Sequence, residues 1–168
     1  AGYQVAAILA GSENLTAEVE KLQPDVILID TDSPSRDTLE HLAAMNKNMP
    51  RPVVIFTQED GQATIRDAVK AGVSAYIVDG LDPKRIKPIV EVARARFEDT
   101  QALRRELDEI SQKLSDRKLV DKAKGVLMKA RGLDEDAAYH AMRKLAMERG
   151  QTMAKVAKDV IDMAKVLL

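Results

Sequence analysis

Hydrophobic and polar positions follow two rhythms in this chain, one up to about residue 82 and another beyond it. In the first part, short apolar runs alternate with amphipathic stretches. The runs Tyr3–Leu9 (closed by Gly11 and Ser12), Asp25–Ile29, Val53–Phe56 and Ser74–Val78 are almost uninterrupted and rich in β-branched residues, which predicts strands buried on both faces. Between them, Asn14–Leu22 is predicted as a helix broken by Gln23-Pro24. A second starts from a cap at Ser35 or Asp37 and runs to about Met45. A third spans Gln62–Ala71 and stops at Gly72. Strands alternating with helices predict a parallel sheet covered on both sides, with sites at the carboxyl ends of its strands. Asp30, Thr57 and Asp79 fall there.

The second rhythm is helical throughout. Asp82-Pro83 is a helix start, and no stop signal follows until Gly132; Pro88 is expected to bend this helix in its second turn. Ile86, Ile89, Ala93, Leu103, Leu107, Ile110 and Leu114 fit one heptad frame, interrupted by Arg96 and Thr100 and ended by Arg117 and Asp121. This predicts a coiled-coil seam (Ile89, Ala93, Leu103, Leu107, Ile110, Leu114) between two copies; packing on the chain's own sheet is the alternative. From Pro88 to Arg131 such a helix spans roughly 65 Å. Its last part, LVDKAKGVLMKARG, buries Leu119, Val120, Ala123, Val126, Leu127 and Ala130, and Gly132 stops it. Asp134 caps the next helix, which runs to about Glu148 with a small inner face of Ala137, Ala138, Ala141, Leu145 and Ala146. Thr152 caps the last, whose stripe is Met153, Val156, Ala157, Val160, Ile161, Ala164 and Leu167. The expected domains are therefore 1–82, α/β; 83–116, a linker helix with the seam; and 117–168, a three-helix tail.

Charge sharpens this division. Residues 116–168 hold 12 Lys+Arg against 8 Asp+Glu, a net +4, whereas 1–115 hold 14 against 19, a net −5. A basic tail behind an acidic body suits a regulatory domain joined to a polyanion binder. The absence of cysteine excludes disulfides and thiolate chemistry and fits a reducing cytoplasm. No run is long enough to span a bilayer and no signal peptide is visible, so no membrane partner is expected. His41 and His140 stand apart, and no glycine-rich phosphate loop follows a strand. Neither an enzyme, a metal nor a cofactor is predicted.

Particular motifs go further. PDVILIDTDSP, PVVIFT and AGVSAYIVDGLDP resemble the receiver domain of bacterial response regulators, a flavodoxin-like α/β fold. The resemblance makes Asp30 the phospho-acceptor candidate, with Pro34 and the switch hydroxyl of Thr57 beside it. The chain departs from the pattern at Asp79-Gly80, where receivers place Lys-Pro. An aspartate there repels a phosphoryl group, so a structural carboxylate in a pseudo-receiver is expected. The acidic pair that follows the first receiver strand is not found, and the chain is expected to begin at the second receiver strand.

The tail matches the ANTAR domain at Ala123-Lys124-Gly125, Leu127-Met128, Ala137, Tyr139, Arg143, Ala146-Met147 and Val156-Ala157. The chain is thus identified as similar to ANTAR-domain response regulators, which are transcription antiterminators, and within them to the nitrate-assimilation regulators. That resemblance implies binding of paired hairpins in a leader mRNA, a homodimer, and an inhibitory partner that senses nitrate or nitrite. Hairpin recognition needs phosphate-directed cations beside groups that contact unstacked bases. Lys118, Lys122, Lys124, Lys129 and Arg131, with Tyr139 and Arg143, are the RNA-binding candidates; Gly125 is expected to permit close approach of a helix or of RNA. Two alternatives stand beside this reading. One is a DNA-binding helix-turn-helix tail, although the last helix carries only Lys155, Lys158 and Lys165 against Asp159 and Asp162. The other is a protein-interaction adaptor.

Overall fold

The computed structural model describes residues 2–11 and 14–167. They divide into two compact units, Ala1–Ala102 and Leu103–Leu168, and one helix contributes to both.

The first unit contains a three-stranded parallel sheet in the order β1 (Ile27–Asp30), β2 (Val53–Thr57), β3 (Ala75–Val78). Helices α1 (Leu15–Leu22), α2 (Arg36–Asn48) and α3 (Gln62–Lys70) connect to these strands, and α4 (Ile86–Arg131) follows. Local caps set the helix ends: the side chains of Asn14 and Ser35 accept from the amides of Ala17 and Thr38, and Gln23 closes α1 in the left-handed conformation. All five residues of β2 are buried, because the strand is covered on both faces. Val53 and Ile55 pack with Leu39, Leu42 and Met45 of α2, while Val54 and Phe56 meet Ala93, Ile86 and Ile89 of α4.

Three expectations are corrected here. Tyr3–Leu9 forms no strand; Val5 and Ile8 are 71% and 89% exposed. Its apolar run has the composition of a strand, but a strand exists only by pairing, and no described strand lies beside it. Ser12, half of its predicted stop signal, lies outside the described residues. Tyr3 is held instead by its hydroxyl, which donates to Glu91 of α4 at 2.8 Å, and that bond holds its pKa above the ordinary tyrosine value. The second correction concerns Pro88. The helix starts at Ile86, after a turn in which Asp82 accepts from Lys84, so Pro88 sits in the first turn, where its missing N–H leaves no intrahelical bond unmade. The third concerns Ile89 and Ala93, placed in the seam between copies. Ala93 is fully buried against Val54 and Phe56, and Ile89 packs beside it, so both belong to the chain's own core.

The second unit combines the end of α4 with α5 (Glu135–Arg149) and α6 (Met153–Leu167). Gly132 (φ 65°) and Gly150 (φ 60°) take the left-handed conformation that closes α4 and α5, a position where a Cβ costs about 1 kcal/mol. Asp134 caps α5 by accepting from Ala137 at 2.7 Å, and Thr152 caps α6 by accepting from Lys155 at 3.2 Å. The core joins Ala123 to Met142, Ala146, Val156, Ala157 and Ile161, flanked by Leu119, Val120 and Leu127. The inner face of α5 is rotated from the expected set of Ala137, Ala138, Ala141, Leu145 and Ala146. Ala138, Met142 and Ala146 point inward at four-residue spacing, and Ala137 and Ala141 are exposed. Met142 supplies the bulk that the small residues cannot. On α6 the predicted stripe is present at Val156, Ala157 and Ile161, while the Leu167 side chain lies outside the described residues.

Candidate nucleic-acid interface

Two places could carry function: the carboxyl edge of the sheet and the surface of the tail. At the sheet, Asp30 is exposed at the end of β1. Thr57 is only 1% exposed, and its hydroxyl is committed on both sides. It donates to the carbonyl of Asp32 at 2.8 Å and accepts from the amide of Glu59 at 3.2 Å. Tyr76 ties the same loop down by donating to the carbonyl of Glu59 at 2.9 Å; burial raises its pKa. Asp79 takes a left-handed conformation (φ 78°) uncommon for a residue with a side chain, followed by Gly80 (φ 73°), whose amide donates to the Thr57 carbonyl at 3.2 Å. This edge therefore offers acidic side chains and a hydroxyl already in use. Among the described residues no cluster of His, Asp or Glu is arranged to hold a metal ion.

The tail surface is arranged differently. Lys118, Lys122, Gly125 and Lys129 follow one another on α4 at spacings of four, three and four residues, which places them on one stripe of the helix. That stripe lies opposite Leu119, Val120, Ala123 and Leu127, which pack into the core. The three lysines are exposed, and among the described residues none pairs with a carboxylate. A Cβ on Gly125 would meet nothing within 4 Å among the described residues, so no described helix packs against it and the helix-packing reason for this glycine falls away.

Lys124 is not part of this stripe. Its side chain is only 15% exposed and lies between Asp121 at 2.9 Å and Glu135 at 2.7 Å. The hydrogen bond to Glu135, then that to Asp121, raises the lysine's pKa, and the same contact lowers that of Asp121. Lys124 therefore fastens the end of α4 to the start of α5. Arg131 is exposed at the last position of α4, off the lysine stripe.

On α5, Tyr139 and Arg143 lie one turn apart and are both exposed. Arg143 has no ionic partner among the described residues, and the Tyr139 ring stands edge-on to His140 with centroids 6.1 Å apart. Met147, 72% exposed, continues that line by another turn. Met147 is among the positions that resemble the ANTAR domain but not among the RNA-binding candidates, since the exposure of a single apolar residue is not legible in sequence; its four-residue spacing from Arg143 is the available signal.

Comparison with known proteins accounts for both units. The response regulator receiver domain matches residues 1–91, and the ANTAR domain matches 108–168. The transcriptional regulatory protein PdtaR of Mycobacterium tuberculosis is 29% identical over 161 residues, covering 96% of this chain and 78% of that protein. The nitrate regulatory protein of Klebsiella oxytoca is 35% identical over 75 residues, 45% of this chain and 19% of its own length. The aliphatic amidase regulator of Pseudomonas aeruginosa is 23% identical over 123 residues, 73% of this chain and 63% of that protein. A receiver fold followed by a helical tail of this pattern makes the chain a member of the ANTAR-domain response regulators, a regulatory family.

Proposed function

We propose that the chain is an RNA-binding transcription antiterminator that grips tandem hairpins in a leader mRNA, and that it does so as a homodimer. The observation that carries this reading is the stripe Lys118–Lys122–Gly125–Lys129: three exposed cations, unpaired among the described residues, around a gap with no side chain. Cations at this spacing follow a phosphate backbone, and the missing Cβ lets that backbone approach the helix. Tyr139, Arg143 and Arg131 supply an aromatic face and guanidinium groups for unstacked loop bases. Gene control in nitrate or nitrite assimilation is the suggested role, in line with the nitrate regulatory protein among the relatives. The switch is proposed to be a sensor protein that binds and releases the chain. Phosphorylation of Asp30 suits the site less well, since the Thr57 hydroxyl is occupied and an aspartate, Asp79, stands where the receiver pattern has a lysine.

The test is a titration of the full chain against a tandem-hairpin RNA and a duplex DNA over a salt series. Tight, salt-dependent binding to the hairpins alone is expected. Preference for the duplex, or binding to neither, would overturn the proposal.

A further inference from the structure

Leu103, Leu107, Ile110 and Leu114 stand at 66%, 63%, 56% and 54% exposure, spaced four, three and four residues apart along one face of α4. We infer that this face pairs with a second copy of the chain in antiparallel orientation, centred between Asp108 and Glu109. The inference rests on the dimer proposed above and adds its direction.

Charge decides the direction. In a parallel pair each core position meets itself, so Arg117 would face Arg117 of the partner subunit, and Asp121 would face Asp121 of the partner subunit. Lys113 would also lie beside Lys118 of the partner subunit; only Asp99 with Arg104 of the partner subunit would attract. Turning one helix round removes the conflicts. Leu107 then faces Ile110 of the partner subunit, and Leu103 faces Leu114 of the partner subunit. Arg117 meets Thr100 of the partner subunit, and Asp121 meets Arg96 of the partner subunit. On the flanks Glu106 lies beside Lys113 of the partner subunit, and by symmetry this pair forms twice. Glu106 and Lys113 are both exposed and, among the described residues, neither has an ionic partner within its own chain. Apolar layers thus meet apolar layers, and no like charges face one another.

The direction sets the reach of the dimer. Antiparallel helices crossing between Asp108 and Glu109 hold the two Lys122 residues about 40 Å apart along the seam, at ~1.5 Å per residue. Each lysine stripe can then take its own hairpin, separated from the other by that span.

Charge reversal reads out the orientation with opposite signs. In the antiparallel pair Lys113→Glu turns two attractions into two repulsions, so the dimer dissociation constant should rise roughly tenfold. Adding Glu106→Lys should restore it. In a parallel pair Lys113→Glu would instead face Lys118 of the partner subunit and tighten the dimer; that outcome, or no change, overturns the inference while leaving the dimer in place. Because the chain has no cysteine, spin labels at Glu98→Cys and Arg105→Cys report unique positions. The label-to-label distance should be roughly 30 Å at the first site and about 10 Å at the second. Equal short distances contradict the antiparallel pair. A monomer mass for the unmodified chain at micromolar concentration would overturn the dimer proposal itself, and this inference with it.

Discussion

The two units dispose of their polar groups in opposite ways. At the carboxyl edge of the sheet, Asp30 is exposed, but the groups that would assist phosphotransfer beside it are committed elsewhere or replaced. Thr57 is buried and bonded twice, and Asp79 stands where the resemblance calls for a cation. On the tail, three lysines face solvent without a partner among the described residues, around a glycine that leaves space. A buried hydroxyl with satisfied bonds stabilises a fold, whereas an exposed cation contributes little to it and is free for a polyanion. The same contrast recurs inside the tail. Lys124 resembles its neighbours in the sequence, yet its two carboxylate contacts make it part of the scaffold. Residue type alone does not separate a binding cation from a fastening one; the partners do.

The strongest way to break this contrast is to reverse the open stripe. Lys118→Glu, Lys122→Glu and Lys129→Glu together should lower hairpin affinity by at least ~100-fold while the helical signal and melting temperature barely change. Comparable affinity, measured by fluorescence anisotropy, would remove the stripe from the interface. Next in size is Leu107→Asp, which places a charge in the proposed seam and should convert the dimer to a monomer by light scattering, since Leu107 contributes to neither core. Gly125→Ala should separate folding from binding. It stabilises the helix by about 1 kcal/mol, because the added methyl meets no neighbour, and it weakens hairpin binding by filling the gap. A stability gain with unchanged affinity would show that the gap is not used.

The sheet edge gives a prediction of no effect. Incubation with acetyl phosphate should leave the intact mass unchanged, and a phosphoryl adduct on Asp30 would show that the occupied Thr57 hydroxyl can be released. The smallest effect concerns the Lys124 contacts. Asp121 has a lowered pKa, so its contribution is present above 3.8 and is lost as pH falls through the still lower folded value. Lys124 has a raised pKa, so its contribution is present below 10.5 and is lost as pH rises beyond that. The melting difference between the unmodified chain and Lys124→Met should therefore be flat between these limits and shrink outside them. A difference that varies near neutral pH would contradict the assigned contacts.

Much of the fold was legible because its signals are local. Asn14, Ser35, Asp134, Thr152 and Gly132 all bound helices where the sequence indicates, since a cap depends on residues within a turn or so. What failed depended on distant partners. Tyr3–Leu9 has strand composition but no described strand to pair with, and the heptad frame identifies an apolar face without saying whether it meets a sheet or a second chain. Ala93 meets the sheet; Leu103 to Leu114 do not. At the tail, the exposure of Lys118, Lys122 and Lys129 follows from helical periodicity. Asp121, three residues from Lys124, was a legible partner, but Glu135 reaches it across the turn after α4 and only folding brings it there.

The central claim is that the open lysines touch phosphates and Lys124 does not. It is tested by the salt dependence of hairpin binding in two variants, the triple Lys118→Ala, Lys122→Ala, Lys129→Ala and the single Lys124→Ala. Each phosphate contact contributes roughly 0.7–0.9 to the slope of log affinity against log salt. The triple variant should lose about 2 to 3 from that slope, and the single variant should keep the unmodified slope. A slope unchanged in the triple variant, or reduced by about 1 in Lys124→Ala, would contradict the account.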